Sequence, residues 1–264
     1  CSGGSSHPDN SLEDSFTLDG DRSRYPVSST DAILGQVPNQ TTTALRGDAF
    51  VCSRTPPLLS PAQARVSVAL SQRRWPVAAT AETFDGLDCL VNNAGIAGPT
   101  APVEEVSVEE WQQTMDVNVT GMFRCTKHAV PYLRESDRGS VVNISSISGK
   151  RPLENRTPYT ASKMAVIGFT RTLAFELGDD DVTANALCPG ATKGPRIEDV
   201  IENQAEQMGV SDEEAKETVF TGDTALGKLV EPEDIAEMVA YLASDAGHHI
   251  TAQDINVDAG TTWY

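Results

Sequence analysis

The 264-residue chain is predicted to be an α/β protein on a doubly wound parallel sheet, with its N-terminal βαβ half missing or degenerate. Three observations carry that prediction. From Phe84 onward, short apolar runs alternate with amphipathic segments of helical length, the pattern of strands joined by crossover helices. The apolar runs are near-continuous rather than alternating, as strands covered on both faces require. Before Phe84 no strand, glycine-rich turn and helix follow one another. The glycines there are Gly3, Gly4, Gly20, Gly35 and Gly47, and Pro56, Pro57 and Pro61 interrupt any long element.

The chain therefore divides into an atypical segment, 1–80, read as disordered or frame-altered, and an α/β unit over 81–264. Leu87-Asp88-Cys89-Leu90-Val91 is a buried strand that ends in two amides and a small-residue turn, Asn92-Asn93-Ala94-Gly95. A helix follows over about 108–134, with Gly121, Met122, Ala129 and Val130 on its packing face. Strand 140–145 leads to a helix over about 157–177 that presents Ala161, Ala165, Phe169 and Leu173 to the sheet. Strand 182–188, a helical excursion over 196–219, helix 232–243 and a last strand 253–257 complete the order. Parallel strands joined by helices require right-handed crossovers, which cover both faces.

The segment Tyr159-Thr160-Ala161-Ser162-Lys163 places a phenol and an ammonium one helical turn apart on one face. A phenol held near a cation loses its proton more easily, which moves it toward use as a general acid or base. Ser146, just past an apolar strand, can donate a hydrogen bond to the same substrate oxygen, and Ser145 or Ser148 are alternatives. Tyr-x-x-x-Lys by itself is also the spacing of an ordinary exposed helix face, so the surrounding segments must carry the reading. Asn92 and Asn93 end a strand where open α/β sheets bind ligands. Asn118 stands inside a helical stretch, where its amide can hold backbone or water.

In this order, Asn92-Asn93-Ala94-Gly95, Asn118, Ser146, Tyr159-x-x-x-Lys163 and Pro189-Gly190, the chain resembles the short-chain dehydrogenase/reductase family, a Rossmann-like fold, from about Phe84 to Ala259. The resemblance implies an NAD- or NADP-dependent oxidoreductase that interconverts an alcohol and a carbonyl on a small polyol, hydroxy acid or 3-oxoacyl substrate. It implies that Tyr159 is the acid/base, Ser146 polarises the carbonyl, Lys163 supports Tyr159 and binds the nicotinamide ribose, and Asn118 holds a relay water. Asn92, Ala94, Gly95, Pro189, Gly190 and Thr192 would line the cofactor groove together with Tyr159 and Lys163. Two departures stand out. The family's Thr-Gly-x-x-x-Gly-x-Gly loop is absent, which leaves an inactive pseudoenzyme or scaffold as the alternative. Ala259 stands where a second glycine is usual. Substrate choice is expected in Gly194–Lys228, where Ile197, Val200, Ile201, Met208, Val219 and Phe220 line a pocket or anchor a lid, and Arg196 meets a substrate anion or an acid of the chain.

Charge follows the same division. Residues before Phe84 carry eight acidic and seven basic side chains, whereas those from Phe84 onward carry thirty and thirteen, a net of −17. Such a surface disfavours nucleic acid and anionic membranes and fits a protein working in high salt. The break also leads to the expectation that Cys1 to about Arg74 is not a native first half, through a frameshift, a misassigned start or a fusion, and is mobile and easily cleaved. Strand 87–91 is then expected to lie at an exposed sheet edge. Five scattered cysteines exclude a disulfide framework or zinc site, with Cys89 and Cys188 read as core residues, and His248-His249 is read as surface loop. No metal is expected. The expected setting is cytoplasmic, with a small-molecule substrate and a homodimer or homotetramer as the working form.

Overall fold

The computed structural model describes residues 50–53, 65–66 and 76–264. Its sheet has six strands in the order β2-β1-β3-β4-β5-β6. Strands β3 (Cys89–Asn92), β4 (Ser140–Ile144), β5 (Thr183–Pro189) and β6 (Asp254–Val257) run parallel. Leu90, Val141 and Ala184 lie side by side in register and face one helical layer, packing with Leu133, Leu173 and Leu177. Val142, next to Val141, and Leu187, three residues beyond Ala184, face the other way, onto Val230, Ile235 and Leu242. The alternation of side chains along a strand thus divides one apolar run between two cores, which is why the runs read as continuous.

Strands β1 (Phe50–Ser53) and β2 (Arg65–Val66) differ from the predicted arrangement, because β1 lies antiparallel along β3, with Phe50 opposite Val91 and Cys52 opposite Cys89. Strand 87–91 is accordingly not an open edge. An unpaired edge is a template for any extended segment that can satisfy its N–H and C=O groups, and β1 fills that place without the crossover a parallel partner would need. The remaining expectations for residues 1–74, their mobility and origin among them, fall on residues outside those described.

The helices are α1 (Pro76–Phe84), α2 (Val108–Met115), α3 (Met122–Leu133), α4 (Thr157–Leu177), α5 (Pro195–Met208), α6 (Asp212–Lys216) and α7 (Pro232–Leu242). Helix α2 starts where Ser107 and Glu110 cap it reciprocally: Ser107 Oγ accepts from the Glu110 amide at 3.2 Å, and the Glu110 carboxylate accepts from the Ser107 amide at 3.0 Å. Ser107 Oγ also donates to that carboxylate at 2.7 Å, and this bond, with the one from the Ser107 amide, holds the Glu110 carboxyl below its ordinary value. Helices α2 and α3 form one continuous rod interrupted by a π-helical stretch, Asp116–Gly121. In α4 the buried stripe is Ser162, Lys163, Val166, Ile167, Thr170, Leu173, Ala174 and Leu177, so Ala161, Ala165 and Phe169 are only half-buried. The rotation from the predicted face brings Ser162 and Lys163 inward.

Candidate functional site

The residues singled out from sequence gather at the carboxyl ends of β3, β4 and β5 and along the first turns of α4, where an open α/β sheet places its crevice. Asn92 closes β3 and is 6% exposed. Its amide donates to Thr126 Oγ1 at 3.1 Å and to Asn143 Oδ1 at 2.7 Å, and Asn143 in turn donates to Thr170 Oγ1 at 2.9 Å. These bonds tie the strand ends to α3 and α4. The Asn92 Oδ1 atom is buried without a hydrogen-bond partner among the described residues, a state that costs about 1–3 kcal/mol until a donor arrives.

The π-helical stretch carries Asn118, 2% exposed, toward the loop after β3. One extra residue per turn re-aims a side chain, and such stretches are frequent at functional sites. Asn118 Oδ1 accepts from the Ile96 amide at 2.8 Å, and Nδ2 donates to the Ile96 carbonyl at 3.0 Å and to Ser162 Oγ at 2.9 Å. Ser162 Oγ donates onward to the Tyr159 carbonyl at 2.7 Å. The Asn118 side chain is therefore a clamp between the β3 loop and α4, with both of its N–H groups already committed.

Lys163 is 5% exposed, and its ammonium donates to the Ile144 carbonyl at 3.0 Å and lies 5.7 Å from the Tyr159 ring centre. A methyl group built on Gly95 would stand 3.3 Å from Lys163 Nζ and 3.4 Å from Asn118 Oδ1. A side chain at this position would press on both groups, so glycine gives the loop its easiest close approach to them. Arg156 stacks on the Tyr159 ring at 5.5 Å and donates to the Ala97 carbonyl and Thr100 Oγ1, each at 2.9 Å. Sequence reasoning missed this contact, because Arg156 and the Ala97–Thr100 loop meet only after the helix and loop have docked.

Three serines compete for the role beside Tyr159. Ser145 Oγ donates to the Lys163 carbonyl at 2.8 Å and is committed to structure. Ser146 Oγ accepts from the Ser148 amide at 3.1 Å as the cap of the 3-10 turn Ile147–Gly149, which leaves its own proton for another acceptor. Just past β5, Gly190 meets the Asp258 backbone so closely that a Cβ would lie 2.9 Å away, and Thr192 Oγ1 donates to the Gly190 carbonyl at 3.0 Å. Pro189 thus ends β5 with Gly190 directly after it at the carboxyl end of the strand, and Ala94 is half-buried in the loop after β3. Burial pushes the nearby Cys188 thiol up to about 11, so it is a core group.

In the 194–228 region Ile201 is buried and anchors α5, whereas Met208 and Val219 are exposed. The side chains of Arg196 and Val200 are outside the described residues. His248 and His249 lie in the turn that follows Asp245–Gly247, with His248 half-buried, His249 exposed, and His248 Nε2 3.2 Å from the Asp181 carboxylate. Among the described residues no cluster of metal-ligating side chains occurs, and no helix is long and apolar enough to cross a membrane.

Comparison with known proteins gives this arrangement its relatives. A family profile described as enoyl-(acyl carrier protein) reductase matches residues 71–262. A putative ketoacyl reductase of Streptomyces coelicolor is 40% identical over 186 residues, covering 70% of each chain. D-beta-hydroxybutyrate dehydrogenase of Cupriavidus necator is 32% identical over 177 residues, 67% of this chain and 68% of that one. Among solved structures, an actinorhodin polyketide ketoreductase variant with NADPH is 39% identical, with a TM-score of 0.66 over 72% of each chain. Sorbitol-6-phosphate 2-dehydrogenase of Erwinia amylovora also reaches a TM-score of 0.66, at 28% identity over 71% of this chain and 73% of that one. Profile, relatives and neighbouring structures converge on one lineage, and the chain belongs to the short-chain dehydrogenase/reductase family of oxidoreductases.

Proposed function

We propose that this chain reduces a carbonyl to an alcohol, or the reverse, with NAD or NADP, and that its substrate is a 3-oxoacyl or related small hydroxy compound. The observation that carries the reading is the meeting of Lys163, Asn118 and Gly95 beside the Tyr159 ring. The relatives named as ketoacyl reductases and as a hydroxybutyrate dehydrogenase support the 3-oxoacyl class.

The nicotinamide end of a dinucleotide fits these residues. Lys163 offers an ammonium for ribose hydroxyls, Gly95 keeps the groove open beside it, and the orphaned Asn92 Oδ1 needs a donor. Pro189, Gly190 and Thr192 border the other wall. When bound, the nicotinamide supplies or accepts the hydride. Ser146 donates to the carbonyl oxygen and polarises it. Tyr159 delivers the phenolic proton to that oxygen in reduction and takes it back in oxidation. Lys163 stabilises the negative charge left on the phenol, and Asn118 holds a relay water at its remaining acceptor positions.

One observation favours the alternative, an inactive scaffold. Among the described residues no glycine-rich turn leads into a helix beside β3, and β1 runs antiparallel where a parallel first strand would carry that turn. Titration with NADH and NADPH in high salt, followed by nicotinamide fluorescence, separates the two. Binding accompanied by oxidation of NADPH on adding ethyl acetoacetate supports the enzyme, whereas no binding of either nucleotide supports the scaffold. The acidic surface and half-exposed α3 and α4 fit a salt-requiring, homo-oligomeric cytoplasmic protein, which sedimentation in high salt would test.

A further inference from the structure

The turn that carries Ser146 is held at its far end by a partly buried ion pair with no part in the chemistry above. Ser146 and Lys150 are the two caps of one 3-10 turn, with the Gly149 amide donating to the Ser146 carbonyl and the Lys150 amide to the Ile147 carbonyl, each at 2.9 Å. The Lys150 side chain is 9% exposed and reaches β6. Its ammonium donates to the Asp254 carbonyl at 2.8 Å, to Asn256 Oδ1 at 2.7 Å and to the Tyr264 carbonyl at 3.2 Å, and it pairs with Asp254 Oδ2 at 2.8 Å.

The second carboxylate oxygen of Asp254 receives a different cation. Arg171, two helical turns past Lys163 on α4, donates to Oδ1 from Nη2 at 2.5 Å and from Nε at 3.0 Å. The near side of the serine turn already rests on α4. A Cβ on Gly149 would lie 2.9 Å from the Lys163 carbonyl group, and Ser145 Oγ bonds that same carbonyl. Turn and helix therefore touch at Lys163 and are braced again through Asp254.

Resting on the oxidoreductase reading, we infer that Asp254 is a positioning residue that sets the separation of the Ser146 hydroxyl from the Tyr159 phenol, by binding Lys150 of the serine turn and Arg171 of the tyrosine helix on opposite carboxylate oxygens. Only a carboxylate offers two acceptor oxygens to two cations at once. Burial raises the Asp254 carboxyl, and the bonds from Lys150 and Arg171 outweigh it and hold the group below its ordinary value. The two arms are unequal. The Lys150 arm is partly buried and less screened, whereas the Arg171 side chain is 58% exposed and is screened by salt.

The test uses the full chain in high salt with Lys150→Met, Lys150→Arg, Arg171→Met and Asp254→Asn. Two readouts are taken: hydrogen exchange at the Gly149 and Lys150 amides, and the NADPH Kd with kcat and KM for ethyl acetoacetate. In Lys150→Met and Asp254→Asn, exchange at both amides should rise at least about tenfold. The kcat should fall about 10- to 100-fold, the scale of a displaced reacting group, with KM and NADPH Kd unchanged. Lys150→Arg should restore most of kcat, Arg171→Met should have the smaller effect, and Lys150→Met combined with Asp254→Asn should be no worse than either alone. Unchanged exchange, or a parallel loss of kcat, nucleotide binding and thermal stability, overturns the inference. Should Asp254→Asn not fold, the contrast of Lys150→Arg with Arg171→Met decides. If the parent chain binds NADPH and turns over nothing, the proposed activity fails while the exchange readout still judges the brace.

Discussion

At the residue scale, most of the chemistry comes down to which hydrogens are committed. Asn118 spends both amide protons on Ile96 and Ser162, and Ser145 spends its proton on Lys163. Ser146 keeps its proton and Tyr159 keeps its phenol half-exposed in the crevice. Tyr159→Phe removes the transferable proton and retains the ring, so turnover should fall about 100- to 10,000-fold with nucleotide affinity little changed. Lys163→Ala should lower both, since the ammonium serves the phenol and the ribose. Steady-state rates beside fluorescence titration would show the difference, and undiminished turnover in Tyr159→Phe would remove the proposed chemistry.

At the element scale, helix starts and one brace decide where the site sits. Ser107→Ala takes away the cap of α2, the helix that leads into the Asn118 stretch, and should lower stability by about 0.5–2 kcal/mol, read by denaturant unfolding. A larger effect on nucleotide binding than on unfolding would mean that the cap acts on the site rather than on the helix. Asp254 gives the pH dependence. Its folded value lies below the ordinary 3.8, so its contribution is complete above the unfolded value and is lost as pH falls through the folded one. Asp254→Asn should therefore flatten the loss of stability below about pH 4 while leaving the neutral range with a constant offset, which thermal melts from pH 7 to pH 2 would record.

At the scale of the whole molecule, charge dominates. A net of −17 over residues 84–264 is self-repulsive when the Debye length is about 10 Å, at 0.1 M salt, and far less so at about 3 Å, at 1 M. The melting temperature should climb with potassium chloride and level off at molar salt. A melting temperature that ignores salt between 0.1 and 3 M would remove the high-salt reading. Exposed pairs such as Arg134 with Asp180 and Arg138 with Asp245 are screened over the same range and contribute about 1 kcal/mol or less each. The rise must therefore come from relieved repulsion.

Local pattern alone determined the parallel strands, the span of α4 and the order of Asn92, Asn118, Ser146, Tyr159 and Lys163, because hydrophobic period and turn chemistry act over a few residues. Four further points were decided only by the tertiary structure. The antiparallel seat of β1 depends on which edge is left open. The rotation of α4 that buries Lys163 depends on its contact with Ile144 and the serine turn. The Arg156 stack depends on a loop 56 residues earlier in the chain. The Asp254 brace joins groups 83 and 104 residues apart. No periodicity records such partners, since a carboxylate on an edge strand reads as a solvated residue until folding brings two cations to its two oxygens.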